Sequence, residues 1–549
     1  MTSGRVRLRL NGRSTEAEAG VTVAAALANA GMAGCRISAS GEVRAPLCAM
    51  GVCWECRVTV DGEPHVRGCM TVVRDGMEVE TLAAPRASRR TPDDAVGNVE
   101  SISCDVAVVG GGPAGGAAAC RAAESGARVV LLDEGPAPGG QIYRRRSGEA
   151  APEAFASWLD RLNRSGASVV RGAAVYDAFA STASPGGWRL SARAGERVLA
   201  LAAARVVLAT GARERFLPFP GWTLPGVMGA AGAQALWKSG ARLAGRVAVV
   251  AGTGPLLLAA AASLAKAGAR LELVAEQARV RSLARLAARL GASSPARLVE
   301  AAGYRASFIE TPYLPGWWVA EARGRGRLES VVLGSREGEG EGEGERTIEV
   351  PCDLAAVGYG LVPNLELPVL LGCKTRRGAA VVTGDQASSV PGIFCAGETC
   401  GVAGVEVAMA EGEIAGAAAA QAWRAGDTNS RRLVRVRDAG RRLALAMDRA
   451  FALRPELRGT ASGDAIVCRC EDASFPAVAR CAGAREAKLA TRAGMGPCQG
   501  RVCGPALEFL FGWDSDTVRP PVQPATLGAL AAADDAVAAN GRKTSEESA

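Results

Sequence analysis

Cysteine and glycine carry the chemistry legible in this chain. Sixteen Cys stand against a single His, His65, in 549 residues. A lone His argues against a self-contained Ser-His-Asp triad, a multi-His zinc site, a Rieske centre or a bis-His haem. Cys48, Cys53 and Cys56 run as C-x4-C-x2-C, and Cys69 follows after twelve intervening residues. That spacing suits four thiolates converging on a 2Fe-2S cluster: a tight loop through Gly51 supplies three, and Cys69 returns from the next hairpin. Zinc is the rival for the Cys53/Cys56 pair, but it leaves Cys48 unexplained. Near the other end stand Cys468 and Cys470 as C-x-C, then Cys498 and Cys503 as C-x4-C, twenty-seven residues further on. Four thiolates there could hold a second cluster or a tetrahedral zinc, and a C-x4-C disulfide is a third reading. Cys481 lies between the pairs and is not placed by the pattern.

Glycine supplies the second kind of chemistry. An apolar strand, Val106 to Val109, runs into Gly110-Gly111-Gly112-Pro113-Ala114-Gly115, then a small-residue helix and a strand ending at Asp133. With the acid eighteen residues past Gly115, the dinucleotide fingerprint is complete. The turn brings a pyrophosphate to a helix N-terminus, Asp133 holds ribose hydroxyls, and Glu134 could share that role. A second strand–turn–helix, Val247 to Ala267 through Gly252-Thr253-Gly254, departs from the pattern. Leu257 takes the third-glycine position, Ala275 takes the acid position, and Glu276 comes one step late. Two readings of NAD(P) stand open: a working site, or a retained fold with weakened or lost nicotinamide binding.

These groups need elements to position them. Val6, Leu8 and Leu10 alternate with arginines and meet Asn11-Gly12, a strand and hairpin. An Ala-rich helical stretch ends at Gly31. Residues 86–102 read as a linker, 427–461 as a helical connector and 513–549 as a tail that frays. The Glu-Gly repeat between Arg336 and Arg346 reads as an exposed hairpin tip without function. His65 reads as a solvated residue beside the Asp61-Gly62 turn. Hydrophobic residues at 48% and charged residues at 22% are ordinary globular composition. A net charge of +8 with 4% aromatics gives no nucleic-acid surface. The uncharged run Val247 to Ala265 reads as strand, turn and buried helix, so no integral membrane segment is expected. The expected location is cytoplasmic, where thiols stay reduced.

The run Arg44 to Cys56, with Val66-Arg67-Gly68-Cys69-Met70, resembles the small 2Fe-2S component of bacterial hydrogen cyanide synthase and opine oxidase systems. It is also similar to the N-terminal region of sarcosine oxidase alpha subunits, which lack these cysteines. Gly139-Gly140-Gln141, the Ala209-Thr210-Gly211 turn and Pro391 to Glu398 resemble two-dinucleotide flavoproteins. That resemblance implies FAD, with Gly397 and Glu398 at the last flavin strand, although Glu398 stands where Asp is commoner. The core lacks the redox dithiol of disulfide reductases: Cys120 is alone, and Thr223 to Glu349 holds no Cys. Arg492 to Gly504, with Cys468 and Cys470, resembles the bacterioferritin-associated-ferredoxin-like domain, a small helical 2Fe-2S carrier.

The fold class expected is therefore an α/β two-dinucleotide-binding flavoprotein core. An N-terminal β-grasp 2Fe-2S domain (1–85) precedes it and a small C-terminal helical 2Fe-2S domain (462–512) follows. The FAD part spans 103–222 and 350–426, the NAD(P)-like part 223–349. The resemblance implies an electron-transfer component of an amine or amino-acid dehydrogenase, of glycine, opine or hydroxyproline type. Its partner would be a D-amino-acid-oxidase-like FAD subunit, in a hetero-oligomer. A stand-alone NAD(P)H-dependent FAD/2Fe-2S reductase and a zinc-thiolate scaffold are the alternatives. No catalytic acid or base is assigned.

Overall fold

The computed structural model describes residues 4–32, 34–82, 99–146, 148–181, 186–336, 345–514 and 517–532. Strand β1 (Arg5–Leu10) buries Leu8 and Leu10, and Asn11-Gly12, both at positive φ, turns the chain into β2 (Arg13–Glu18). Helix α1 (Val23–Asn29), capped by the Thr22 hydroxyl, sinks Val23 to Leu27 into the same core. Strands β3 (Arg57–Val60), β4 (Glu63–Arg67) and β5 (Glu78–Glu80) complete a mixed sheet of order β2-β1-β5-β3-β4. The irregular stretch just ahead of β3 carries Cys48, Cys53 and Cys56. His65 is exposed, and it sits on β4 rather than in the turn.

The flavoprotein sheet starts at β6 (Val99–Val109), inside the expected linker, of which 83–98 lie outside the described residues. Helix α2 (Pro113–Glu124) begins on proline, which has no N–H to leave unpaired, and β7 (Val129–Asp133) follows. Sheet order runs Ser168–Arg171, β7, β6, Arg197–Leu208, Trp188–Ala194, Ala173–Ala180, with Ile393–Cys395 parallel to the end of Arg197–Leu208.

The main sheet of the second dinucleotide unit is all parallel. Strand β8 (Val247–Thr253), helix α4 (Pro255–Lys266) and strand β9 (Arg270–Glu276) follow helix α3 (Ala230–Lys238). The sheet order is Val227–Met228, Leu354–Tyr359, β8, β9, Tyr313–Pro315. The uncharged run is thus a buried strand and helix, and no helix among the described residues is long and apolar enough to cross a membrane. The Glu-Gly repeat lies outside the described residues; its flanks pair antiparallel, Ser335 with Arg346.

Helix α5 (Thr428–Ala450), capped by Asp427, leads to a small unit. A hairpin (Ile466–Cys468 with Ala473–Ser474) and three helices (Phe475–Ala479, Ala484–Thr491, Gly504–Phe511) enclose Val467, Val478, Ala487 and Leu507.

The tail departs from expectation. Residues 517–532 dock on the flavoprotein sheet: Val522 N–H donates to Tyr176 O (2.7 Å), and the buried Tyr176 hydroxyl donates to Ala529 O (2.9 Å). Val522, Ala529 and Ala532 are buried, so a few apolar residues anchor this Pro-rich first part of the tail, while 533–549 lie outside the described residues. Replacing Tyr176→Phe removes one buried hydrogen bond worth about 1 kcal/mol. Subtilisin cleavage within 517–532 should then run about fivefold faster, since cleavage follows the open population. An unchanged rate would contradict the docking.

Candidate functional site

The four N-terminal cysteines converge in a dry loop, each 2% exposed or less. Backbone amides point at their sulfurs: Gly51 N to Cys69 Sγ (3.2 Å), Cys53 N and Met50 N to Cys48 Sγ (3.3 and 3.4 Å), Cys69 N to Cys56 Sγ (3.4 Å). Such donors favour thiolates. The thiols also pair, Cys48 with Cys53 and Cys56 with Cys69. Burial pushes Cys53 well above the usual thiol range, whereas the hydrogen bond from Cys53 holds Cys48 below it. Two pairs suit two irons, each taking two thiolates.

The candidate dinucleotide cradle, read as an FAD site in the sequence, assembles at the ends of β6 and β7. A Cβ on Gly115 would land on the Gly110 carbonyl oxygen, so only glycine lets α2 approach the turn this closely. A Cβ on Gly111 would strike the Asp133 carboxylate. Gly112 caps α2 without a side chain, leaving the amides of Ala114 and Gly115 uncovered by any capping group, and Gly140 lies against Gly112. Gln141 stands beside it on an exposed turn. Burial raises the Asp133 pKa against hydrogen bonds from the amides of Gly135 and Gly111. The Ala209-Thr210-Gly211 turn is tied across the crossover: Thr210 Oγ1 donates to Asn364 O (2.7 Å) and lies 3.2 Å from Thr399 Oγ1. Gly397 N–H donates to the buried carboxylate of Glu411, itself paired with Arg441 (2.7 Å). Burial raises the pKa of Glu398, with Arg441 opposing.

Glu134 has another occupation than the ribose. It forms an ion pair with Arg67 of the ferredoxin-like domain, and the same guanidinium donates to Gly51 O (2.9 Å) and covers the Trp54 ring. Arg144, just beyond Gly140-Gln141, donates to Ala49 O (2.7 Å). The cysteine loop is thus clamped onto the flavin-binding loops from two sides. Gly229 N–H, at the start of α3, holds Leu47 O (2.9 Å) from a third.

The second dinucleotide unit corrects one expectation. Glu276, not Ala275, occupies the acid position: Gly252 pairs with Glu276 on the adjacent strand. A register shift between Ala248 and Val249 absorbs the extra residue that spacing alone counts as a misfit. Yet this carboxylate is fully buried and consumed by its own loop. It accepts from Thr253 Oγ1 (2.7 Å), Gly254 N (2.8 Å) and Ala278 N (2.8 Å). Burial outweighs those donors and pushes it up to about 7. The segment at Ala452 and Arg454 also packs against the residue after β9. Gln277 Nε2 donates to Ala452 O (3.2 Å), Arg454 N donates to Gln277 Oε1 (3.2 Å), and the Arg454 guanidinium lies on Trp318.

The C-terminal structure brings Cys468, Cys470, Cys498 and Cys503 together. Cys470 Sγ lies 3.5 Å from Cys498 Sγ, and Cys468 hydrogen-bonds Cys470 and Cys503. Cys481 stays outside the set, bonded to Ala477 O. Among the described residues no three His, Cys, Asp or Glu side chains are arranged to hold a single metal ion.

Sequence reasoning missed the residues between the sets. Glu55, inside the Cys53–Cys56 motif, meets Arg36 (2.7 Å) and Arg469 (3.3 Å), and Arg469 sits inside the Cys468–Cys470 motif. A charged residue within each ligand motif was the available signal.

Residues 3–84 match the 2Fe-2S iron-sulfur cluster binding domain, and residues 104–421 match the pyridine nucleotide-disulphide oxidoreductase family. A subunit of the opine oxidase of Rhizobium meliloti is 32% identical over 462 residues, covering 78% of this chain and 98% of that one. Hydrogen cyanide synthase of Pseudomonas aeruginosa matches through two subunits. HcnB is 32% identical over 452 residues, covering 75% of this chain and 92% of HcnB. HcnA is 43% identical over 74 residues, covering 14% of this chain and 71% of HcnA. The crystal structure of L-proline dehydrogenase from P. horikoshii shares the fold. It is 20% identical with a TM-score of 0.70, over 96% of this chain and 98% of that one.

Cys53→Ser should abolish the visible circular dichroism of the N-terminal cluster while flavin absorbance stays at the wild-type level. Loss of flavin along with the cluster would contradict separate sites.

Proposed function

The chain belongs to the pyridine nucleotide-disulphide oxidoreductase family and is an FAD-dependent oxidoreductase with a 2Fe-2S domain; on that premise we propose that it is the electron-transfer component of a multi-subunit amine or amino-acid dehydrogenase. The observation that carries the reading is the clamp of Arg67 and Arg144, which fastens the cysteine loop to the loops of the FAD cradle. A flavin takes up an electron pair and releases it singly, which suits it to feed 2Fe-2S centres.

The residues fit these groups. Amides aimed at buried sulfurs belong with thiolate ligands, and the uncapped α2 N-terminus beside Asp133 belongs with a pyrophosphate and a ribose. Cys48, Cys53, Cys56 and Cys69 hold the first cluster. Cys468, Cys470, Cys498 and Cys503, whose thiols meet in a chain from Cys503 through Cys468 and Cys470 to Cys498, hold a second one. Gly110 to Gly115 and Gly140 cradle the phosphates, Asp133 binds the ribose, and Glu398 meets the ribityl chain. Glu134 is assigned instead to the clamp.

The second dinucleotide unit serves as a scaffold. Glu276 is bonded to its own loop, and the segment ending at Arg454 packs against Gln277 at the strand ends, where a nicotinamide nucleotide would lie. Electrons therefore enter from a partner. Relatives are named as subunits of opine oxidase and hydrogen cyanide synthase; the partner in this reading is a D-amino-acid-oxidase-like flavoprotein that oxidises glycine, opine or hydroxyproline-type substrates. No acid or base of this chain is assigned to the substrate, so proton removal belongs to that partner.

In anaerobic titrations the isolated chain should keep its flavin absorbance when either NADH or amino acids are added. Flavin should bleach once substrate and the amine-oxidising partner are both present. Stoichiometric bleaching by NADH, or by an amine without the partner, would overturn the reading.

A further inference from the structure

The two cysteine sets lie far apart in sequence and share one interior. Cys48, Cys53 and Cys498 belong to a single apolar core with Leu47, Trp222 and Val502, and Cys470 packs against it. Through this core runs a layer of buried charge. Glu55 is 1% exposed, Arg469 2% and Arg36 7%. Arg36 Nη2 donates to Glu55 Oε1 (2.7 Å) and to Arg469 O (2.9 Å), and Arg469 Nη2 reaches Glu55 Oε2 (3.3 Å). Arg469 is fixed in turn by Trp222, donating to its carbonyl (2.6 Å) and lying on its ring. A second contact runs parallel to the first: Arg44 pairs with Asp472 (2.8 Å), and Ser40 N and Oγ donate to the same carboxylate.

Two features separate this layer from an ordinary domain contact. Glu55 is covalently next to Cys56, and Arg469 lies between Cys468 and Cys470, so each charge is built into a thiolate loop. The layer also carries surplus donors: Nε of Arg36, Arg44, Arg57 and Arg469 is buried and finds no hydrogen-bond partner among the described residues. Orphaned buried donors are costly in a purely structural joint. They are what two neighbouring, negatively charged thiolate-bound centres would call for.

We propose that Arg36, Glu55 and Arg469 form a positioning joint that fixes the two thiolate sets against each other and sets the relative reduction potentials of the centres they hold. This rests on the two-cluster reading above. The joint touches neither substrate nor flavin and acts through the charge it places between the loops. Removing the carboxylate leaves two guanidinium groups uncompensated, which favours the reduced, more negative centres. Removing a guanidinium does the opposite.

The test is an EPR-monitored redox titration of the full chain. Glu55→Gln should raise the midpoint potential of at least one cluster by a tenfold change in its reduction equilibrium, about 59 mV for one electron. Arg469→Met should lower it by a similar amount, and Arg469→Lys, which keeps the charge, should stay near wild type. Arg36→Gln should lower it as well, and it serves as the reading if Glu55→Gln does not fold. Two cluster signals with unmoved potentials, or shifts of one sign in all variants, would overturn the joint. A wild-type protein with a single cluster signal would overturn the two-cluster reading beneath it.

Discussion

Burying seven of the eight thiols of the two sets, with Cys470 half-buried, in a low-dielectric interior is the constraint from which the rest of this structure follows. Burial disfavours the thiolate, as Cys35, pushed up to about 12 and outside either set, illustrates. A thiol that must become a ligand needs positive charge and amide donors close by. The chain supplies both. Arg67 and Arg144 flank the N-terminal loop, and Arg36 and Arg469 stand between the two sets. Arg213 and Arg501, both held by Glu366, lie on the far side of Cys498. Each guanidinium also binds a carbonyl or carboxylate of a second domain, so the groups that balance charge also join the domains.

On the proposed reading, the second dinucleotide unit is a fold kept as a scaffold. Strand order, the first two glycines of the turn and the acid position are kept, yet Leu257 replaces the third glycine, Glu276 is turned onto Thr253 and Gly254, and Arg454 packs against Gln277. What the unit supplies is a rigid floor. Gly229 at the start of α3 grips Leu47, and a Cβ on Gly232 would collide with the Leu47 carbonyl, so the helix sits directly against the cysteine loop.

The cofactor-bearing loops were legible in the sequence because their chemistry demands local spacing. A C-x4-C-x2-C loop and a G-x-G-x-x-G turn each do their work within a few residues, and both fold as read. Three features were hidden for physical reasons. The acid at Glu276 was miscounted because a β-irregularity shifts register by one residue, which no spacing rule contains. The Glu55–Arg469 pair spans 414 residues, and although each charge stands inside a cysteine motif, nothing local pairs one with the other. The tail was read as fraying, but Val522, Ala529, Ala532 and the hydrogen bond from the Tyr176 hydroxyl dock its residues 517–532.

The central claim is that both cysteine sets are iron–sulfur sites alongside one flavin. Its most direct test is a determination of iron, acid-labile sulfide and zinc per flavin in anaerobically purified protein. About four irons and four sulfides per flavin with no zinc are expected, as two 2Fe-2S clusters require. About two irons, or zinc in place of the second pair, would contradict it.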